Sequence, residues 1–270
     1  MKILFCGDVV GKSGRRVLAE VLPELKKKLA LDCVIVNGEN AAHGFGLTPK
    51  IYEELIRAGA DVVTLGNHSF DKKEVFQLLE AKKPIIRPMN YPENTLGSGF
   101  FIHILPNGLK IAVAQLLGQV FMKSVNNPFD MIDTWLKQHR QGIDYDVLVV
   151  DFHAEATAEK RAMGAFLDGR ALLVVGTHTH IPTADACLLP HGTAYMTDVG
   201  MCGDYMSVIG MKEETAIQRF FSHGQGGRLS PAENEGTFCG VVVEWEAQKR
   251  TASKIFPVRI GAHLENTHDL

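Results

Sequence analysis

No apolar run in this 270-residue chain reaches the roughly 18 residues that a membrane-crossing helix requires. The opening stretch, MKILFCGDVVGKSG, breaks at Gly7-Asp8, too early for a signal peptide. Cysteine is sparse: Cys6, Cys33, Cys187, Cys202 and Cys239 are odd in number, scattered and never spaced C-x-x-C. That excludes a disulfide framework and a zinc knuckle, and leaves small buried thiols in a reducing, cytoplasmic setting as the expectation. Basic clusters are short (KKK at 26–28, KK at 72–73 and 82–83), and the formal net charge is -3. Strong non-specific binding to nucleic acid is therefore not expected. A small phosphate substrate is not excluded, because bound metal ions can reverse a local field. No repeat, linker-like stretch or low-complexity tract divides the chain, so a single domain spanning 1–270 is expected. The oligomeric state is open, a homo-oligomer included.

What is present is an alternation of strand and helix patterns. Apolar runs at 2–6, 32–37 and 61–65 are separated by helical spacings at 14–30 and 49–58, and a third helix is expected over 71–82. Pro49 suits a helix start, and Asp71 with Glu74 three residues on reads as a helix cap. This rhythm predicts a parallel sheet covered by helices. Strands then crowd at 85–90, 99–105 and 109–117, with Asn107-Gly108 as a hairpin turn. Helices are expected at 128–140 and 155–168 around a strand at 146–151, followed by a strand at 172–178. Segments 193–198, 238–246 and 254–260 read as antiparallel strands, with a helix near 212–222 between them. The fold class is α/β: two stacked sheets with helices outside.

Polar residues gather where strands run out: Asp8, then Glu39 and Asn40, then Asn67 and His68, then His153, then His178 and His180. In open α/β sheets ligands bind beyond the carboxyl ends of strands. Alone, each residue fits a turn or a loop contact; five strand ends bringing carboxylates, amides and imidazoles together form a metal site. Oxygen and nitrogen donors without thiolate suit iron, manganese or zinc, with Glu39 able to bridge two ions. Two metals about 3.5–4 Å apart clamp both oxygens of an in-line phosphoryl displacement.

GD at 7–8, GNH at 66–68, His153 and GTHTH at 176–180 resemble the calcineurin-like metallophosphoesterase superfamily. The fuller set GDVVG, NGENAAHGFG, LGNHSFD, DFHAE, GTHTHIPTAD and TDVGM resembles its bacterial YmdB-type branch, phosphodiesterases of 2′,3′-cyclic nucleotides, from residue 1 to about 260. The resemblance implies a four-layer α/β/β/α sandwich of two stacked mixed sheets and two divalent or trivalent metal ions, iron or manganese favoured. Asp8, Glu39, Asn40 and His180 would hold one ion; Glu39, Asn67, His153 and His178 the other. A metal-bridging hydroxide would attack a small phosphodiester, and His68 would protonate the leaving oxygen. The wider superfamily places His where this chain has Val10, and Asp where it has Glu39. A phosphomonoesterase or nuclease of the same superfamily, or a regulatory interaction protein with a vestigial centre, are the alternatives.

Other features are ambiguous or negative. His43 either approaches the site or stabilises its glycine-rich loop. Asp151 and Glu155 are candidates to support His153. The loop 198–212 is either part of the substrate wall, with Tyr205 or Met201 against a base, or a packed connector. His103 is read as structural or solvent-facing, and His139, His191, His223, His263 and His268 as surface residues. Gly11-Lys12-Ser13 lacks the spacing of a phosphate-binding P-loop.

Overall fold

The computed structural model describes residues 1–123, 125–221 and 227–268. In chain order the elements are β1 (Lys2–Cys6), β2 (Asp8–Val9), α1 (Gly11–Leu29), β3 (Cys33–Asn37), α2 (Pro49–Ala58), β4 (Val62–Thr64), α3 (Val75–Glu80), β5 (Ile85–Ile86), β6 (Phe100–Ile104), β7 (Lys110–Leu117), α4 (Pro128–Gln138), β8 (Val147–His153), α5 (Thr157–Phe166), β9 (Leu173–Thr177), β10 (Cys187–Leu188), β11 (Ala194–Met196), β12 (Met201–Cys202), α6 (Glu213–Phe221), β13 (Thr237–Glu246) and β14 (Thr251–Gly261). One six-stranded sheet runs β14-β13-β1-β3-β4-β5, the other β10-β11-β9-β8-β7-β6, and β2 pairs with β12. Both sheets are mixed. Strands β1, β3, β4 and β5 are parallel, as are β7, β8, β9 and β11; antiparallel pairs close the β14, β10 and β6 edges, while β5 ends the first sheet parallel to β4.

Period-two alternation assigns the layers. Ile3 and Phe5 of β1 face the second sheet and pack with Ile35, Val113, Val149 and Val175. Leu4 and Cys6 face outward, under Leu18, Leu22 and Leu25 of α1 and Leu55 of α2. Ala112, Val150 and Phe152 on the far side of the second sheet meet Ile132 and Trp135 of α4 and Met163 of α5. The order is therefore α/β/β/α. Each fully buried Leu, Ile or Val contributes about 1.5–3 kcal/mol. Helix α2 begins where expected, with Thr48 Oγ1 accepting from Ile51 N–H and Pro49 in the first turn. The Asn107-Gly108 turn forms, with the Gly108 N–H donating to the Leu105 carbonyl and φ of Gly108 at +86°.

Several expectations are corrected. Helix α3 covers 75–80 rather than 71–82, and its N-cap Glu74 makes no side-chain cap. The strand expected over 85–90 pairs only at 85–86. β11 lies parallel to β9, because the 178–193 connection carries the chain back and supplies β10, antiparallel to β11, before β11 forms. The predicted end of the helix near 212–222 falls partly outside the described residues, since α6 is described to Phe221. No helix among the described residues is long and apolar enough to cross a membrane.

Candidate metal centre

Parallel strands from both sheets release their side chains at one edge. Asp8 follows β1, Glu39 and Asn40 follow β3, Asn67 and His68 follow β4, His153 ends β8, and His178 and His180 follow β9. The structure brings all eight into one hollow. Asp8, Glu39 and His153 are 0% exposed, whereas His68 and His178 stand half-buried.

Contacts converge on His153. Its Nε2 lies 3.0 Å from Glu39 Oε1, 2.8 Å from Asn67 Oδ1 and 3.1 Å from His178 Nδ1. One N–H cannot satisfy three partners. Donor atoms of Glu39, His153 and His178 all lie within 4.8 Å of one another. On the other side of Glu39, Asn40 Nδ2 is 3.4 Å from Glu39 Oε1 and 2.9 Å from His180 Nε2. Asp8 Oδ2 accepts from His178 N–H at 3.2 Å, but Asp8 Oδ1 is buried with no hydrogen-bond partner. His153 Nδ1 and His180 Nε2 are 3.9 and 3.8 Å from that orphan oxygen. A buried carboxylate oxygen without a donor carries a penalty that a cation would remove. The residues fit a metal pair: carboxylate, amide and imidazole converge, and each imidazole can be fixed from behind.

That fixing is explicit. His153 Nδ1–H donates to Thr177 Oγ1 at 2.8 Å, and Thr177 in turn donates to Asp151 Oδ1 at 2.6 Å. Asp151 Oδ2 accepts from Thr64, Asn37 and Gln115, which knots both sheets together. Asp151 thus supports His153 only through Thr177, while Glu155 Oε2 lies 3.2 Å from His178 Nε2 rather than beside His153. His180 Nδ1–H donates to the Ile209 carbonyl at 2.7 Å, leaving Nε2 to face the hollow. His178 and His180 sit at φ +98° and +66°, left-handed backbone that non-glycine residues rarely adopt. Asp198 holds this strained turn by accepting from the Thr179 N–H and hydroxyl, and Lys160 of α5 meets Asp198 at 2.7 Å in a pair shielded from solvent.

Burial and charge set the protonation. Burial pushes Asp8 up to about 6, against the pull of His180 and His153. Burial also opposes ionisation of Glu39, but His153 and His68 override it and hold the carboxyl near 2. His153 is lowered by burial yet held up to about 9 by Glu39. His178 is pushed down to about 3 by burial and by His153. One imidazolium proton thus stands in for positive charge among the carboxylates.

Space is reserved as well. A Cβ on Gly66 would collide with Glu39 Oε2 and stand 2.6 Å from His153 Nε2, so this position must be bare. Val10, where the superfamily usually has a ligand His, is buried against Met201 and Met211.

His68 differs from the others. Its Nδ1 meets Asp71 Oδ2 at 2.7 Å, its ring packs edge-on to Phe45, and its N–H donates to Glu39 Oε2. Asp71, read from sequence as a helix cap, holds the ring instead. The 198–212 loop is mainly a packed connector. Met201 pairs with Asp8 across β12 and β2, and the Tyr205 hydroxyl bonds Met201 and the His180 carbonyl. Neither residue is free to wall a base. His43 is exposed in a turn at φ +57°. Ser13, at the discounted P-loop segment, donates to the Asn234 carbonyl inside the fold. Sequence reasoning missed Thr177, Asp198, Lys160 and the Ile209 carbonyl. A lysine on an amphipathic helix carries no local sign that it will be buried.

Two mixed sheets face to face, helices outside and a nitrogen–oxygen cluster at the shared carboxyl edge define a metallophosphoesterase-type fold. Residues 4–258 match the model of the YmdB-like protein family, and the chain belongs to it. It is 47% identical to the 2′,3′-cyclic-nucleotide 2′-phosphodiesterase of Bacillus subtilis, over 97% of each chain. A crystal structure of a hypothetical protein from Thermus thermophilus is 41% identical with a TM-score of 0.91, covering 97% of this chain and 99% of that one. That of a novel phosphatase from Mycoplasma pneumoniae is 37% identical with a TM-score of 0.89, covering 97% and 93%.

Proposed function

We propose that the protein is a two-metal phosphodiesterase acting on small phosphodiesters, 2′,3′-cyclic nucleotides foremost. The observation that carries this reading is the orphan Asp8 Oδ1 beside the over-subscribed His153 Nε2, both in a buried hollow lined by Glu39, Asn40, Asn67, His178 and His180. In this reading Asp8, Glu39, Asn40 and His180 would hold one ion, and Glu39, Asn67, His153 and His178 would hold the other. The name of the Bacillus relative supports the substrate class. When bound, a metal pair neutralises phosphate charge and lowers the pKa of water at the site. The thiolate-free donor set suits iron, manganese or zinc, and the changed ligand pattern at Val10, Glu39 and Asn40 favours iron or manganese.

The chain's own residues supply the rest. His68 Nδ1–H donates a hydrogen bond to Asp71 Oδ2, which leaves Nε2 as the nitrogen that exchanges protons with substrate. As water oxygen bonds to phosphorus and the phosphorus–ribose oxygen bond breaks, that nitrogen gives its proton to the departing alkoxide, a poor leaving group otherwise. Thr177 and the Ile209 carbonyl keep His153 and His180 in one tautomer throughout.

The test is hydrolysis of 2′,3′-cyclic AMP beside bis-p-nitrophenyl phosphate by protein stripped of metal and reloaded with manganese or iron. Cleavage of the cyclic nucleotide only after reloading is expected, with the 3′-monophosphate as product. Cleavage of the artificial diester alone would remove the cyclic-nucleotide assignment. Absence of both with metal bound would favour a regulatory binding protein. Protein purified without added metal and containing zinc alone would overturn the choice of iron or manganese.

A further inference from the structure

A second gathering of metal-type side chains stands at the opposite end of β3. Cys33 opens that strand, Asp61 directly precedes β4, and His103 lies in β6. One sulfur, one carboxylate oxygen and one imidazole nitrogen from these residues lie within 4.8 Å of one another. The four residue steps from Cys33 to Asn37 span roughly 13 Å at about 3.3 Å per residue, so the two clusters lie at opposite ends of the strand. The groups come from both sheets: Cys33 and Asp61 belong to the first, His103 to the edge strand of the second. Cys33 is fully buried in the layer between the sheets. His103 alternates in phase with Phe101 and Leu105, which pack on that same layer, so its ring turns inward. His103 and Asp61 remain half-exposed, giving an ion a way in from solvent.

We propose that Cys33, Asp61 and His103 form a further metal site, one that takes a zinc-type divalent ion and clips the two sheets together at their open edge. Thiolate, imidazole and carboxylate are the donors such an ion takes at about 2.0–2.3 Å, in tetrahedral geometry with a fourth position left for water. Their present spacing needs only a modest closing movement to reach those bonds. Neither the Cys33 sulfur nor the His103 ring makes a hydrogen bond among the described residues, so binding breaks none there. Asp61 is the contested ligand. Its Oδ2 accepts from Val34 N–H at 2.8 Å and from Lys26 at 3.1 Å, whereas Oδ1 has only Lys26 at 3.3 Å. Oδ1 is the oxygen open to an ion, and Lys26 keeps its bond to the Gly59 carbonyl at 3.1 Å when it yields. The thiol proton leaves to solvent as the metal–sulfur bond forms.

Cobalt(II) separates this site from the main centre, because only a thiolate ligand gives a sulfur-to-cobalt charge-transfer band in the near ultraviolet. Full-length protein, stripped of metal, is titrated with cobalt and compared with Cys33→Ala and His103→Ala. The expected result is a charge-transfer band in the wild type, absent in Cys33→Ala and needing about 10–100-fold more cobalt in His103→Ala. Hydrolysis of the small diester should stay at wild-type level in both variants. His103→Ala changes a half-exposed residue on an edge strand, so it keeps the proposal testable if Cys33→Ala fails to fold. A wild type that binds cobalt without the band, or a band that survives Cys33→Ala, overturns the site. Either outcome is independent of whether cyclic nucleotides are cleaved.

Discussion

The two ends of β3 carry two clusters built to different standards. At the carboxyl end, His153 is held by Thr177 and, through it, Asp151; Asp198 fixes the turn between His178 and His180, and Gly66 leaves room that any side chain would fill. At the amino end, Cys33 and His103 have no such supports among the described residues, and Asp61 already serves Lys26 and the backbone. The first is preorganised, with backbone strain at His178 and His180 held in place by a buried ion pair. The second gathers similar donor types without fixing them. A list of ligand-type residues therefore does not define a catalytic centre. What distinguishes one is the second layer that holds each ring in a single tautomer and each carboxylate in place.

This contrast can be broken by substitution. Glu39→Gln removes the charge proposed to serve both metal positions, and turnover of a small diester should fall on the order of 10³-fold or more, with metal content falling in parallel. Steady-state kinetics and elemental analysis check it; wild-type turnover in this variant would refute the proposed mechanism. Lys160→Met leaves Asp198 buried without its partner and should destabilise the fold by about 3–5 kcal/mol, read from denaturant unfolding. A loss below about 1 kcal/mol would mean that Asp198 keeps its place without the lysine. Gly66→Ala pushes a methyl group into Glu39 and His153 and should weaken metal binding about tenfold or more while far-ultraviolet dichroism is unchanged.

Acidity sharpens the same contrast. His153 holds a proton up to about pH 9 in the metal-free protein, and metal requires its neutral form. Affinity at the main centre should thus rise about tenfold per pH unit as pH climbs from about 6 towards 9, then level off. His178 is already neutral in that window and adds nothing. Calorimetry in buffers of different ionisation enthalpy counts the proton released; no release would contradict the assigned charge state. The smallest effect belongs to the other end of β3. Lys26→Met frees Asp61 and should tighten cobalt binding there a few-fold, on the scale of an exposed ion pair, leaving the main centre unchanged.

Much of this architecture was legible because periodicity is a local property. The strands ending at Asn37, Thr64 and His153 read as short buried runs, and every one of the eight residues expected at the site follows or ends such a run. What was not legible depended on contacts distant in sequence. β2, β10 and β12 are two-residue strands that exist only because a partner segment lies alongside. The direction of β11 followed from a long connection rather than from its residues. Asp71 read only as a helix cap, and its hold on the His68 ring emerges once both side chains are placed. Cys33, Asp61 and His103 are spread over 71 positions of sequence and meet only once both sheets are stacked.

The Asp71–His68 pair has a consequence for anyone who redesigns this protein. Helix α3 starts late and without a side-chain cap, which marks it as an obvious target for stabilisation. Moving the carboxylate from Asp71 to a capping position there would strengthen the helix start while untethering the ring proposed to deliver the proton. Thermal screening alone would select such a variant as an improvement. Any library covering residues 68–75 should be ranked by turnover first and heat resistance second.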